Sequence, residues 1–390
     1  MLNKKYSVRV LGSMLILLTL TACANSGIKE TPVAMPAQLP SEAELRVDWW
    51  HLLGDEQGRK AFGQLRPSVF AGLAYVPLAS GQVVELDAAG SIVRQTQVSD
   101  SLSAPLAVDA QQMVAITGEG LALLLDRDYQ QLWAFKLNAL ATEPALLTPD
   151  RVFIQTIDGR LSAIERITGR LLWVFQDAEP DLTLTGTSGP ELIRTSSGEA
   201  VVTGLANGKI VALSTVDGSV IWEYRIARSS GKTDISRLVD VDAHVTLVDE
   251  RLFVTGYQGD LVAIETATGR VLQATGLSSY RAIKSDGQWL FGVNAQSHVV
   301  ALDPRDLSII WTATDFEYRQ LSELLVQDGA LYAADRQGFL HVLDSQTGQW
   351  LTSRHIDWRG SNSDPVAFAD GVLLQGYSTR VKSLQLIRPE

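Results

Sequence analysis

A unit of about forty residues, written eight times, constrains this chain more than any other feature. Aligned on a turn, the copies read GQVVELD (81–87), GLALLLD (120–126), GRLSAIE (159–165), GKIVALS (208–214), GDLVAIE (259–265), SHVVALD (297–303), GFLHVLD (338–344) and TRVKSLQ (379–385). Each unit parses as four short strands. In 145–175 these are ALLT, VFIQT, RLSAIE and RLLWVF, separated by PDR, IDG and ITG. The turns carry Asp-Gly, Asn-Gly or Thr-Gly because a tight hairpin needs positive φ, which Gly adopts without a Cβ clash. The third strand is apolar almost without interruption (LVAI, IVAL, VVAL). A strand of that kind is covered on both faces. One four-stranded sheet in water cannot do this, but sheets stacked face to face around a ring can.

The expected fold is therefore all-β: an eight-bladed β-propeller of four-stranded antiparallel blades, which leaves only short, protected edges. Ala163, Ala212, Ala263 and Ala301 recur in the third strand, and Trp133, Trp173, Trp222 and Trp311 in the fourth. The small residue suits close approach of sheets near the axis, and the indole fills the wider gap between blades further out. The eighth unit (365–390) runs out before a full fourth strand. ELRVDWWHLL (44–53) carries Trp49 and Trp50 where a Trp strand belongs. Residues 46–52 are therefore expected to pair with the last unit and close the ring. A parallel β-helix is the rival, but its coils are shorter and it needs no such exchange of ends.

Ahead of the repeat, Lys4, Lys5 and Arg9 precede an apolar run, VLGSMLILLTL (10–20), too short to span a bilayer. Leu20-Thr21-Ala22-Cys23 follows and resembles the lipobox of bacterial lipoproteins. That resemblance implies cleavage before Cys23, lipid on its thiol and, with Ala24 next, delivery to the outer membrane on its periplasmic side. Cys23 is the only Cys, so no disulfide forms within the chain. The expected organisation is a lipoprotein signal peptide (1–22), a lipidated Pro/Ser/Ala-rich tether (23–43) and the propeller (44–390). Removing 1–22 takes three of the 33 basic residues and none of the 44 acidic ones, moving the formal charge from −11 to −14. Such a surface repels phosphate backbones, which argues against nucleic acid as a partner.

The turn-and-Trp motifs ITGRLLW and TVDGSVIW resemble the quinoprotein-alcohol-dehydrogenase-like repeat over about residues 44–385. Enzymes with that repeat bind pyrroloquinoline quinone and Ca²⁺ under a ring of adjacent cysteines. This chain has no second Cys and no Asp/Asn-rich calcium loop. His51, His244, His298, His341 and His355 fall in different units without metal-ligand spacing, and His341 reads as a core residue. Ser230-Gly231-Lys232-Thr233 lacks the first Gly of a phosphate loop, because residue 226 is Ile. No catalytic residue, metal site or cofactor is expected. A quinone-dependent oxidoreductase is the alternative from another class.

Two neighbouring intervals between copies exceed forty by about ten residues. The extra segments, EPDLTLTGTSG (179–189) and RSSGKTDISRLVDVD (228–242), each join a fourth strand to the next first strand. All such connections leave a propeller on one face, so two long loops should stand side by side there. Leu182 and Leu184 alternate with Thr183 and Thr185, while Arg237 lies near Asp240 and Asp242. An apolar centre rimmed by charge suits a protein interface, and loops on a rigid scaffold are where binding concentrates. The rival reading is that both loops fold inward and cap the central opening.

With SRLVDVD (236–242) and LTLTG (182–186) in view, the chain resembles the lipoprotein-propeller family of the outer-membrane β-barrel assembly machine. The resemblance implies a non-catalytic scaffold whose two loops bind BamA, the barrel-forming subunit, through its periplasmic domains, and which assists unfolded outer-membrane proteins. Carried over residue by residue, the implied contacts are Leu182, Leu184, Thr185, Arg237, Asp240 and Asp242. The sequence departs at Thr185, where the family has Arg, so that charge is missing here. A scaffold serving a different envelope complex would share this fold and anchor.

Overall fold

The computed structural model describes residues 30–54, 65–177, 188–226, 241, 243–361 and 363–389. The chain divides into two compact units, Met1–Thr31 and Pro32–Glu390. Of the first, only Glu30 and Thr31 are described, and both are exposed.

The second unit consists of eight four-stranded antiparallel sheets, with no helix among the described residues. The blades span 68–97, 107–136, 146–176, 191–225, 246–275, 284–313, 325–355 and 366–387. The first strand of blade one, Ser68–Phe70, lies against both Ala107–Val108 of blade two and Val366–Phe368 of blade eight. First strands therefore line the centre, fourth strands lie outermost, and the ring closes. Closure uses the expected strand. Glu44–Leu52 forms the outer edge of blade eight, antiparallel to Arg380–Ile387, with a bulge between Val47 and Trp49.

The buried apolar side chains sort into eight clusters, each at a seam between neighbouring blades. In blade three, Val152, Ile154 and Ile164 face blade two, whereas Phe153, Leu161 and Ala163 face blade four. A strand with a hydrophobic seam on each side must be apolar at consecutive positions, which accounts for the unbroken third-strand motif.

Each repeated Trp crosses a seam. The indole nitrogens of Trp133, Trp173, Trp222 and Trp311 donate to Arg166, Thr215, Thr266 and Ser345 in the last turn of the following blade, at 2.8–3.2 Å. Trp49 of the closing strand does the same to Ala88 of blade one at 3.1 Å, while Trp50 is 55% exposed. The ring then rests on the turn glycine. A Cβ on Gly218 would lie 2.6 Å from the Trp173 ring, and the residue also has φ +73°. Gly218 thus answers two demands, of which the sequence showed only positive φ. Gly287 has φ +88° but nothing within 4 Å of a Cβ, so the two demands can be separated. Gly287→Ala is expected to cost about 1 kcal/mol and Gly218→Ala at least about 2 kcal/mol more, read from urea unfolding. Equal costs would mean that the indole is not held against the turn.

The structure corrects the reason for the recurrent alanines. Their strand is third from the axis. Ala163, Ala212 and Ala301 stand opposite Trp173, Trp222 and Trp311 in the ladder, so the small residue makes room for the indole beside it. In blades one and five, where the Trp is missing, a polar chain takes over its bond. Arg94 reaches the Arg127 carbonyl, and Gln273 reaches that of Arg305.

Residues 33–43 lie along blade seven. Val33 donates to the Glu317 carbonyl at 3.0 Å and accepts from Arg319 Nη1 at 2.8 Å, and Glu42 donates to Leu351 at 3.1 Å. Arg319 is held in turn by Asp335, whose carboxylate also bonds His341 at 2.9 Å. His341 is fully buried, and its other nitrogen meets Ser353 Oγ at 2.6 Å.

Candidate docking face

The residues implied for partner binding, Leu182, Leu184, Thr185, Arg237, Asp240 and Asp242, lie outside the described residues, as does Cys23. The structure does give the ends that carry them. Leu171–Gln176 and Val220–Arg225 are the outer strands of blades three and four, and Glu191–Thr195 and Thr246–Val248 are the first strands of blades four and five. The described ends of the two oversized connections therefore lie at consecutive seams and on the same face of the ring, since each pair is the end of an outer strand and the start of the next inner one.

Their returning ends meet at the axis. Gly189 packs against the His244 imidazole so closely that a Cβ there would strike Cε1. Ser188 is fully buried, and its carbonyl accepts from Thr203 Oγ1 at 3.2 Å. Val241 is 1% exposed in the seam between blades four and five. The two loop bases are thus wedged into one rigid neighbourhood.

His244 belongs to a ring of polar groups around the axis. His244 Nε2 meets Glu143 Oε2 at 2.8 Å, and the same oxygen accepts from Arg66 at 3.3 Å. Arg66 also faces Asp364 at 3.7 Å. Asp364 accepts the Glu323 amide at 2.9 Å, and Glu323 pairs with Lys284 at 2.9 Å. Burial alone would depress the His244 pKa, but the Glu143 charge outweighs it and holds the imidazole above its usual value. Burial would raise Glu143, yet His244 and Arg66 hold it low. Burial and then the Glu323 charge push Asp364 up.

The sequence reading missed this ring, although a signal exists. Arg66, Ala104, Glu143, Gly189, His244, Ala282, Glu323 and Asp364 occupy one column of the repeat, each directly before Pro or an apolar residue at the entry to a first strand. Charged and small members share the crowded axis.

The linkage has a definite sign. A His whose folded pKa is raised contributes stability that is fully present below its unfolded value near 6.5 and is lost as pH rises through the folded value. Glu143, held low, contributes above about 4.5 and is lost as pH falls through its folded value. Stability from this pair is thus expected to decline from mildly acidic to alkaline pH, and His244→Gln should flatten that limb of the urea midpoint against pH. An unchanged limb would mean that the imidazole titrates without Glu143.

A family model described as outer membrane protein assembly factor BamB matches residues 79–313. The chain belongs to the BamB family. The BamB of Shewanella oneidensis is 28% identical over 98% of this chain and 100% of its own length. The crystal structure of BamB from Moraxella catarrhalis superposes with a TM-score of 0.78 at 24% identity, over 88% of this chain and all of that one, a likeness of fold. Quinohemoprotein alcohol dehydrogenase from Comamonas testosteroni also shares the fold, with a TM-score of 0.66 at 12% identity over 87% of this chain and 76% of that one. Among the described residues no cluster of three His, Cys, Asp or Glu side chains is placed to hold a metal, and the whole chain has a single Cys.

Proposed function

We propose that this BamB-family chain is a non-catalytic scaffold in the assembly of outer-membrane β-barrel proteins. Lipid on Cys23 holds it to the periplasmic side of the outer membrane. The two long connections dock the periplasmic domains of BamA, and the complex assists folding and insertion of unfolded outer-membrane proteins. The observation that carries this reading is the convergence of both connections: consecutive seams, one face, and bases in contact at Gly189 and His244. A binding surface assembled from two loops needs such a rigid base, because any looseness between them is ordered at the expense of affinity. Leu182 and Leu184 supply the apolar centre, Arg237, Asp240 and Asp242 the charged rim, and Thr185 an uncharged place between them.

The test is co-purification from solubilised outer membrane, with mass spectrometry of the partners and of the N-terminal peptide. BamA as the main partner and an acylated Cys23 are expected. Recovery with a different envelope complex, or recovery of BamA that persists after both loops are deleted, would overturn the reading.

A further inference from the structure

The chain is strongly acidic, at −11, yet one corner of the ring runs the other way. Arg336, Arg354, Arg380 and Lys382, on blades seven and eight, form no ion pair among the described residues. Arg354 and Arg380 lie close enough to Lys382 that, after burial, their charges help hold its pKa below the usual value. The carboxylate that acts on Lys382 in the other direction, Asp357, is buried, with one oxygen accepting from Ser378 N and Oγ at 2.9 and 2.5 Å.

Aromatics mark the same corner. Among the described residues the two strongly exposed tryptophans are Trp50, at 55%, and Trp358, at 74%. Trp50 pairs with Lys382 across the ladder and lies under the Arg380 guanidinium at 5.2 Å. Trp358 is in the connection from blade seven to blade eight, beside Asp357. Gly360, two residues on, packs on the Arg336 carbonyl, which brings the turn that carries Arg336 beside the connection that carries Trp358. This is the face on which the long connections also emerge, at the opposite side of the ring.

The N-terminal segment leaves the propeller here too. Val33 is tied to Arg319, whose carbonyl accepts the Arg336 amide at 3.2 Å. Val33 is ten positions after Cys23, a reach of at most about 35 Å. Exposed Asp315 and Glu317 bound the patch on the blade-six side.

We propose that this corner, built on Trp50, Trp358, Arg336, Arg354, Arg380 and Lys382, is a membrane-contact surface that takes an anionic phospholipid bilayer. Arg336 donates to Gln320 and Arg354 to the Leu45 carbonyl, but no carboxylate among the described residues neutralises these cations; they meet lipid phosphates, indoles settle at the headgroup level, and the acidic remainder of the ring is repelled. The arrangement places blades seven and eight at the bilayer and turns the seams of blades three to five away from it. The inference rests on the proposed lipid anchor for its tether, but its test needs neither an acylated Cys23 nor BamA.

Soluble protein from residue 24 onward is mixed with vesicles of phosphatidylglycerol and phosphatidylethanolamine, or of phosphatidylcholine alone, and sedimented at low salt. Binding to the anionic vesicles is expected, with loss in phosphatidylcholine and at high salt. Brominated lipid should quench part of the tryptophan emission, and Trp358→Ser should remove most of that quenching. Arg380→Glu with Lys382→Glu should weaken binding about tenfold or more, whereas Arg170→Glu with Arg270→Glu, the same charge change on blades three and five, should not. Arg354→Glu alone, a change at an exposed side chain of the outer strand of blade seven, should weaken binding by an intermediate factor if the double variant folds poorly. No sedimentation with anionic vesicles, equal binding to neutral ones, or equal loss from the two double variants would overturn the proposal. A failure of BamA capture would leave these outcomes unchanged, so the two readings fail separately.

Discussion

Asp240→Arg, or Leu184→Asp, is expected to abolish capture of BamA while leaving the thermal midpoint within about 2 °C of the parent, since loop substitutions outside the core usually move stability by less than about 0.5 kcal/mol. The two changes attack different terms. Leu184→Asp puts a carboxylate into the apolar centre, where it must be desolvated without a partner. Asp240→Arg reverses a rim charge, so the two surfaces repel during approach. Residues that dominate an interface typically cost 2 kcal/mol or more when altered, about thirtyfold in affinity. A weak complex does not survive that loss through a wash. If the loops were caps on the central opening, the outcome would invert: capture would persist and the midpoint would fall.

The second large effect concerns closure. Deleting residues 1–52 removes the outer strand of blade eight and is expected to abolish cooperative unfolding of the propeller. The deletion takes away the ladder from Glu44↔Ile387 to Leu52↔Arg380 and the indole that crosses from blade eight to blade one. It also bares Leu384, which is fully buried beside Leu45. A finer test lies within the strand. Trp49 meets Phe368 edge-on at 6.2 Å and sits on Gly90, whereas Trp50 faces solvent. Trp49→Ala should cost about 3 kcal/mol and Trp50→Ala less than about 0.5 kcal/mol in urea unfolding. Equal effects from the two neighbours would contradict the register of closure.

These contrasts show what the sequence could and could not disclose. A seam recurs at every blade junction with nearly the same shape, so the residues that build it recur as well. Repetition made the turn Gly, the apolar third strand and the Trp visible, and the missing last strand pointed to 44–53. The axial column is the opposite case. Eight identical charges around one axis would repel one another. The column is instead filled with residues that satisfy each other across the ring, Arg66 with Glu143 and Asp364, and Glu143 with His244. Complementarity erases the repeat signal that would have revealed it. Arg94 and Gln273 escaped notice for a related reason: they keep the bond to the next blade's turn but not the residue type. The lie of 33–43 along blade seven depends on single contacts, such as Arg319 with Val33, that no local pattern announces.

The two loops are proposed to form one surface for one partner, and site-specific photo-crosslinking in intact cells tests this most directly. A photoreactive amino acid is placed in turn at Leu184, Asp240 and Trp358 of the full chain. Adducts to BamA from both 184 and 240, and none from 358, are the predicted result. Adducts from 184 and 240 to different proteins, or to BamA from 358 alone, would contradict the account.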